Sequence, residues 1–345
     1  MAYTDIDKPS DYFNTVLYTG TENSNTISVG FEPDFTWIKR RNSARDHQLF
    51  NSITGANTVL SSNLTSAEEG TGAGGWTPNS DGFVVHQHVK TNSNGDTYVG
   101  WNWKAETSFT NDASSTSVGS IDSAGSVNTD AGFSIITYTG TGSAATIAHG
   151  LGAAPAMILF KNRSRATNWL VYHKDIAATK FLYLNVTDAE GTDSGHFNDT
   201  EPTSTVFSVG GANGTNYSGE NLIAYCFAEK QGYSKFGRYD GNNSDDGTFV
   251  YTGFSPAMII CKRTDGAGND WRIIDNKRDF FNVSDARLKP NTSAAEDTNT
   301  QLDFTSNGFK FRASAGDLNG TSTYIYMAFA SNPLVTSSGV PATAR

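Results

Sequence analysis

Cysteine is scarce, with only Cys226 and Cys261 in 345 residues. Two thiols cannot build a disulfide scaffold or a cysteine-rich zinc site. Charge is also thin, at 17% of the chain, and it leans negative: 25 Lys and Arg against 35 Asp and Glu leave a net −10. Such a surface repels phosphate backbones, which argues against nucleic acid or an anionic membrane as a partner. No window nears the roughly 18 apolar residues of a membrane span, so no membrane insertion is expected. The opening MAYTDIDKPSDYF has no basic stretch leading into an apolar run, so a soluble protein without an export signal is expected. No glycine-flanked serine elbow occurs, and neither cysteine has a persuasive histidine partner.

Against these lacks stand 34 Gly beside only 9 Pro, many Ser, Thr and Asn, and 12% aromatics with 21 Phe and 14 Tyr. So many rings exclude a disordered chain. The mixture suits short strands joined by polar turns, since helices prefer Ala, Leu, Glu and Lys. A mostly-β protein with several small cores is expected.

The sequence repeats itself. Three turns open alike at Tyr18-Thr-Gly20, Tyr138-Thr-Gly140 and Tyr239-Asp-Gly241. Each is followed by a Gly-apolar pair (30–31, 150–151, 253–254), a proline (Pro33, Pro155, Pro256) and a strand ending in Lys39, Lys161 or Lys262. Asp46-His47, Asn168-Trp169 and Asp270-Trp271 come next, then NLTSAEE (63–69), NVTDAEG (185–191) and NTSAAED (291–297). Closing strands follow at 98–105, 222–229 and 324–331. Their period-two pattern puts Val99/Trp101/Trp103, Ile223/Tyr225/Phe227 and Ile325/Met327/Phe329 on one bulky face of a half-buried strand. The expected fold is all-β: three tandem antiparallel β-sandwich or jelly-roll-like units at 14–108, 132–232 and 234–335. An N-terminal arm (1–13), a flexible Ser/Asp/Gly-rich linker (109–131) and a C-terminal tail (336–345) complete the division. Units two and three should pack as a rigid pair, and the two ends are candidates for docking on a neighbour.

Candidate chemistry is sparse. His86 and His88 share a strand face but lack an evident third ligand, so surface histidines are expected and no metal is assigned. The loop DGNNSDDG (240–247) lacks the glycine and glutamate of an EF-hand and reads as a polar hairpin. No carboxylate pair stands out for glycoside hydrolysis. Glu68, Glu190 and Glu296 recur in every unit, as a scaffold role demands, and Lys39, Lys161 and Lys262 are expected to cap or pair with acids inside their own unit. Trp76 and Tyr217 lie in loops where the units diverge, and they are the best-placed aromatics to stack on a sugar ring. No catalytic residue and no cofactor are assigned.

Along its whole length the chain resembles a family of repeat proteins of tailed phages of marine bacteria, of cyanophage and pelagiphage type. The segments that carry the likeness are MAYTDIDKPSDYFNTVLYTG (1–20), IAHGLGAAPAMILFKNRS (147–164), AYCFAEKQGYSKFG (224–237) and GTFVYTGFSPAMIICKRTD (247–265). Unit one departs by carrying Gly-Phe-Glu-Pro where the family often has a Gly-Leu-Gly type turn. The resemblance implies a non-enzymatic virion structural protein, fibre-like or lectin-like, assembled in the host cytoplasm. It would be homo-oligomeric, in contact with other virion proteins, and able to meet a host-surface glycan or envelope protein. Attachment as a tail fibre or adhesin is the first expectation. The alternatives are capsid decoration or a head fibre docking through the N-terminal arm, and a glycan depolymerase.

Overall fold

The computed structural model describes residues 3–72 and 75–341. The fold is all-β and antiparallel; the described helices are three short turns, Pro9–Asp11, Ala113–Thr116 and Ser194–Phe197. Three sheets share one strand order. In each, an opening strand (Phe13–Thr19, Phe133–Thr139, Ser234–Asp240) pairs with a closing strand (Thr97–Trp103, Asn221–Phe227, Thr323–Pro333). The closing strand pairs in turn with a lysine strand (Phe35–Arg40, Met157–Asn162, Phe254–Arg263), and that with a return strand (Gln48–Asn51, Leu170–His173, Arg272–Asp275). An outer sheet covers each of these inner sheets, with Ile27, Ile147 and Val250 paired to Phe83, Phe207 and Phe309.

The turns are locked in a common way. Tyr18, Tyr138 and Tyr239 donate their hydroxyls to the carbonyls of Thr91, Thr215 and Leu318 at 2.7, 2.6 and 2.7 Å. One residue on, Asn92, Asn216 and Asn319 accept from the backbone N–H of Thr21, Thr141 and Asn242. A buried amide that satisfies several backbone groups fixes a polar turn without metal or disulfide. The 240–247 loop is therefore a hairpin, with Lys310 on Asp246 at 2.7 Å.

The bulky faces of the closing strands point inward, as their alternation predicts, but into one shared core. Trp103, Phe227 and Phe329 form a triangle, with ring centres 6.2, 5.7 and 6.0 Å apart. Around them pack Phe13, Phe35, Trp101, Phe133, Tyr225, Met258 and Met327. The opposite, small face is buried too: Ala224 and Cys226, Ala328 and Ala330 lie in the cores beneath the outer sheets. Gly100 touches Phe83 there, at 3.6 Å for an added Cβ. The closing strands are thus buried on both faces rather than half-buried. The small residues were making room for large ones across the sandwich, a reason invisible in a single strand's pattern.

Two further expectations are corrected. Residues 109–131 are not a flexible linker: Thr107–Asn111 and Ser123–Asn128 form a hairpin that extends the middle inner sheet. Asp112 caps the short helix between them through Ser114 and Ser115, so polar composition there serves capping and ladder pairing. The described part of the N-terminal arm docks on its own chain. Ile6 is buried in the central core, Tyr3 donates to the Gly253 carbonyl at 2.7 Å, and Asp7 accepts from the Ser337 backbone at 2.6 Å. Residues 1–2 of the arm and 342–345 of the tail lie outside the described residues.

Candidate binding surface

The recurrent lysines and glutamates lie at the seams between the three segments, where each lysine's hydrogen bonds go to backbone carbonyls. Lys39, Lys161 and Lys262 are fully buried. Lys161 Nζ donates to the carbonyls of Thr65 (2.8 Å) and Thr167 (2.6 Å), Lys262 Nζ to Thr187 and Asn269, and Lys39 Nζ to Ser293 and Arg40. Thr65, Thr187 and Ser293 belong respectively to the first, second and third segments, so each lysine reaches a neighbour and the contacts run round in a closed cycle. Burial pushes each ammonium's pKa down to about 8.

The glutamates complete the same seams. The backbone N–H of Glu68, Glu190 and Glu296 donates to the carbonyls of Arg163, Thr264 and Arg41 at 2.9, 2.8 and 2.8 Å. Glu68 and Glu296 also pair with Arg163 and Arg41, both at 2.7 Å. Thr264 stands where those arginines do, and Glu190 pairs with Lys180 instead. At matched positions Trp169 Nε1, Trp271 Nε1 and His47 Nε2 donate to the carbonyls of Ser61, Tyr183 and Lys289 at 2.9, 2.9 and 3.0 Å. The expectation of acid partners inside each unit fails because the three segments interlock: each Nζ donates to one carbonyl of its own segment and one of a neighbour's, and to no carboxylate.

The two loop aromatics do not form a site. Trp76 is fully buried, stacked on Phe50 at 6.0 Å and beside Phe83, so it offers no face to a sugar. Tyr217 is half-buried, with the Arg165 guanidinium 3.9 Å over its ring and Arg165 paired to Glu220 at 2.9 Å. The ring is engaged within its own chain. His86 is also engaged, its two ring nitrogens meeting the hydroxyls of Ser24 and Thr77 at 3.1 and 3.2 Å. Among the described residues no group of three or more His, Cys, Asp and Glu is placed to hold a metal ion. Both cysteines are buried, and burial pushes their thiols' pKa values up.

Exposed rings gather instead on the outer sheet of the third segment. Its edge strand Phe249–Tyr251 buries Val250 and turns Phe249 and Tyr251 outward, 44% and 54% exposed. Across the ladder Phe249 faces Lys310 and Tyr251 faces Gly308, which face Asp303 and Thr305 in turn. Gly308 must be glycine, since a Cβ there would lie 2.1 Å from the Val250 carbonyl. Beyond, Asn282 bonds the Phe304 backbone through both its amide atoms and fixes a turn bearing Phe281, 77% exposed. At a strand spacing of ~4.8 Å the row spans roughly 15 Å. Tyr251 also borders a polar cleft of about 350 Å³ lined by Tyr3, Glu229, Gln231 and Lys235. Glu229 is clasped by Lys235 and Lys174 at 2.6 and 2.8 Å, and these bonds hold its pKa below the usual carboxylate range against the opposing effect of burial. Rings beside fixed donors and acceptors can stack on apolar faces and hydrogen-bond hydroxyls.

The signal for this face was in the sequence. Where Val250 is flanked by Phe249 and Tyr251, Ile27 is flanked by Thr26 and Ser28, and Ile147 by Thr146 and Ala148. Comparing flanks rather than loops would have found it.

Together these features define an all-β protein of packed antiparallel sandwiches whose exposed rings collect on one outer sheet. Residues 8–333 match a family described as a domain of unknown function (DUF7483), and the chain belongs to that family. No curated protein matches the chain.

Proposed function

We propose that the protein is a non-enzymatic structural protein of a tailed-phage virion. In this reading three tandem repeat units close into a single-chain pseudo-trimer, and the outer sheet of the third unit attaches to a host-surface glycan or envelope protein. The observation that carries attachment is the aromatic face: Phe249 and Tyr251 are exposed where the matched positions are Thr, Ser and Ala. Large exposed rings cost solubility unless a partner covers them. The cyclic seams support the pseudo-trimer, and the segments resembling marine-phage repeat proteins support the virion assignment.

Capsid decoration is the second reading, favoured by the lack of any long shaft in the described fold. In it the shell contact would be a surface of the folded body, because the described arm is engaged with Gly253, Ser337 and the central core.

The test is binding of the labelled full chain to intact host cells, comparing wild type with Phe249→Ala/Tyr251→Ala. Loss of two stacking rings at ~1–2 kcal/mol each should weaken binding about 10-fold or more, with an unchanged melting temperature. Wild-type binding that the double variant leaves intact would overturn the aromatic face. Hundreds of copies on the shell, seen by cryo-electron microscopy of particles, would overturn attachment in favour of decoration.

A further inference from the structure

The opening strands of the first and middle segments are near-copies, FNTVLYT (13–19) and FSIITYT (133–139). Their free edges fare differently. In the middle segment residues 119–128 fill the groove between the opening strand and the outer-sheet edge strand Ala145–Ala148. Ser120 and Ile121 donate their N–H groups to the Thr146 carbonyl at 2.8 and 3.2 Å. Ser123 Oγ donates to the Ala148 carbonyl at 3.0 Å, and Ser123–Asn128 then pairs with residues 133–138 of the opening strand. Ile121 is buried, 7% exposed, in the core beneath the outer sheet.

The first segment has the same groove, and among the described residues none pairs in it. The strand Phe13–Thr19 ends its sheet. Ile136 is fully buried, but its counterpart Val16 is half-exposed, and Leu17 is 42% exposed. Thr26 and Ser28 stand where Thr146 and Ala148 accept, and a cleft of about 560 Å³ runs between them and residues 15–19. An open edge is normally blunted by charge. The third opening strand obeys, carrying Lys235 and Arg238, whereas residues 13–19 have no charge and no proline.

We propose that this groove is a docking site for an extended segment of another polypeptide, which adds as an antiparallel strand to Phe13–Thr19. The middle segment shows the chemistry that fits: one aliphatic residue to enter the groove, then a small, uncharged Ser/Ala/Gly stretch to pair along the edge. Charge refines the fit. This clefts' linings, here and in the adjoining 320 Å³ cleft, contain Lys277 and no carboxylate, in a chain of net charge −10. An acidic residue in the incoming segment therefore meets a cation rather than repulsion. A second copy of the chain is disfavoured, because its own 119–128 segment is already paired and its net charge repels. Strand addition of this kind takes its affinity from main-chain hydrogen bonds and its specificity from alternate side chains. The site is independent of the aromatic face.

The probe is a fluorescein-labelled peptide of residues 118–130, VGSIDSAGSVNTD, titrated with the full chain and read by anisotropy. Saturable binding is expected, weakened about 10-fold or more by Leu17→Lys, which places a charge on the edge, and weakened by Lys277→Glu. Hydrogen exchange should show new protection across 13–19. Phe249→Ala/Tyr251→Ala should leave peptide binding unchanged, and Leu17→Lys should leave cell binding unchanged, so the two ideas fail separately. An equal melting temperature for Leu17→Lys shows that it is folded. No saturation up to about 1 mM peptide, binding indifferent to Leu17→Lys, or protection at 133–139 alone would overturn the proposal. A dimer of the free chain that Leu17→Lys abolishes would overturn it in favour of a second copy.

Discussion

Lys161→Met is the sharpest test of the seams. The ammonium is fully buried and donates to the carbonyls of Thr65 and Thr167. Methionine has similar length but leaves the Thr167 carbonyl unpaired, while the Thr65 carbonyl keeps the Thr167 N–H at 2.9 Å, so at pH 7.5 the variant should lose about 1–3 kcal/mol. The pH dependence is more specific. Burial lowers the folded pKa from 10.5 to about 8, whereas the unfolded chain keeps its proton up to 10.5. Between these values the unfolded state binds more protons, so stability contributed by Lys161 rises with pH. Two-state linkage with these values gives roughly 2 kcal/mol more by pH 9.5 than at pH 7.5. Thiols and tyrosines also titrate in this range, but they do so equally in both proteins and cancel in the difference. Urea unfolding of wild type and variant at pH 7.5, 8.5 and 9.5 should show the gap widening by about 2 kcal/mol. A gap that stays constant or narrows would refute a cationic lysine held inside the seam.

Acid should act in the opposite sense through two buried histidines. His149 and His173 donate from Nε2 to the carbonyls of Thr203 and Tyr326 and accept at Nδ1 from the backbone of Leu151 and Asp175. Burial lowers both pKa values to about 4, so the unfolded state binds more protons between 4 and 6.5. Stability should fall by roughly 2 kcal/mol per ring by pH 5. Urea midpoints that stay flat from pH 7 to pH 5 would contradict this. Arg278 is buried between Asp275 (2.6 Å) and Glu296 (3.0 Å), and Asp275 also accepts Trp101 Nε1 at 3.0 Å. Arg278→Ala leaves the buried Asp275 without a cation, whereas Glu296 keeps Arg41, and should cost about 3–5 kcal/mol in chemical unfolding; a loss below about 1 kcal/mol would show that Asp275 is otherwise satisfied.

The sequence by itself determined the strand-rich class, the landmarks and the inward direction of Trp101, Trp103, Tyr225 and Phe329. Alternation of large and small residues is a local property, and backbone pleat converts it directly into faces. It also marked Lys39, Lys161, Lys262, Glu68, Glu190 and Glu296 as scaffold positions. Only the tertiary structure decided what they touch. Their partners lie in another segment, and no period or spacing within one segment encodes which neighbour's carbonyl will face a buried Nζ. The same holds for residues 109–131: Ser, Asp and Gly favour both flexible chain and a capped hairpin, and the free edge at Phe133–Thr139 settles which. Trp76 shows the remaining gap. A tryptophan in a Gly-rich loop looks exposed until Phe50 and Phe83, brought from distant parts of the chain, close over it. Burial depends on long-range packing, and that packing is decided in three dimensions.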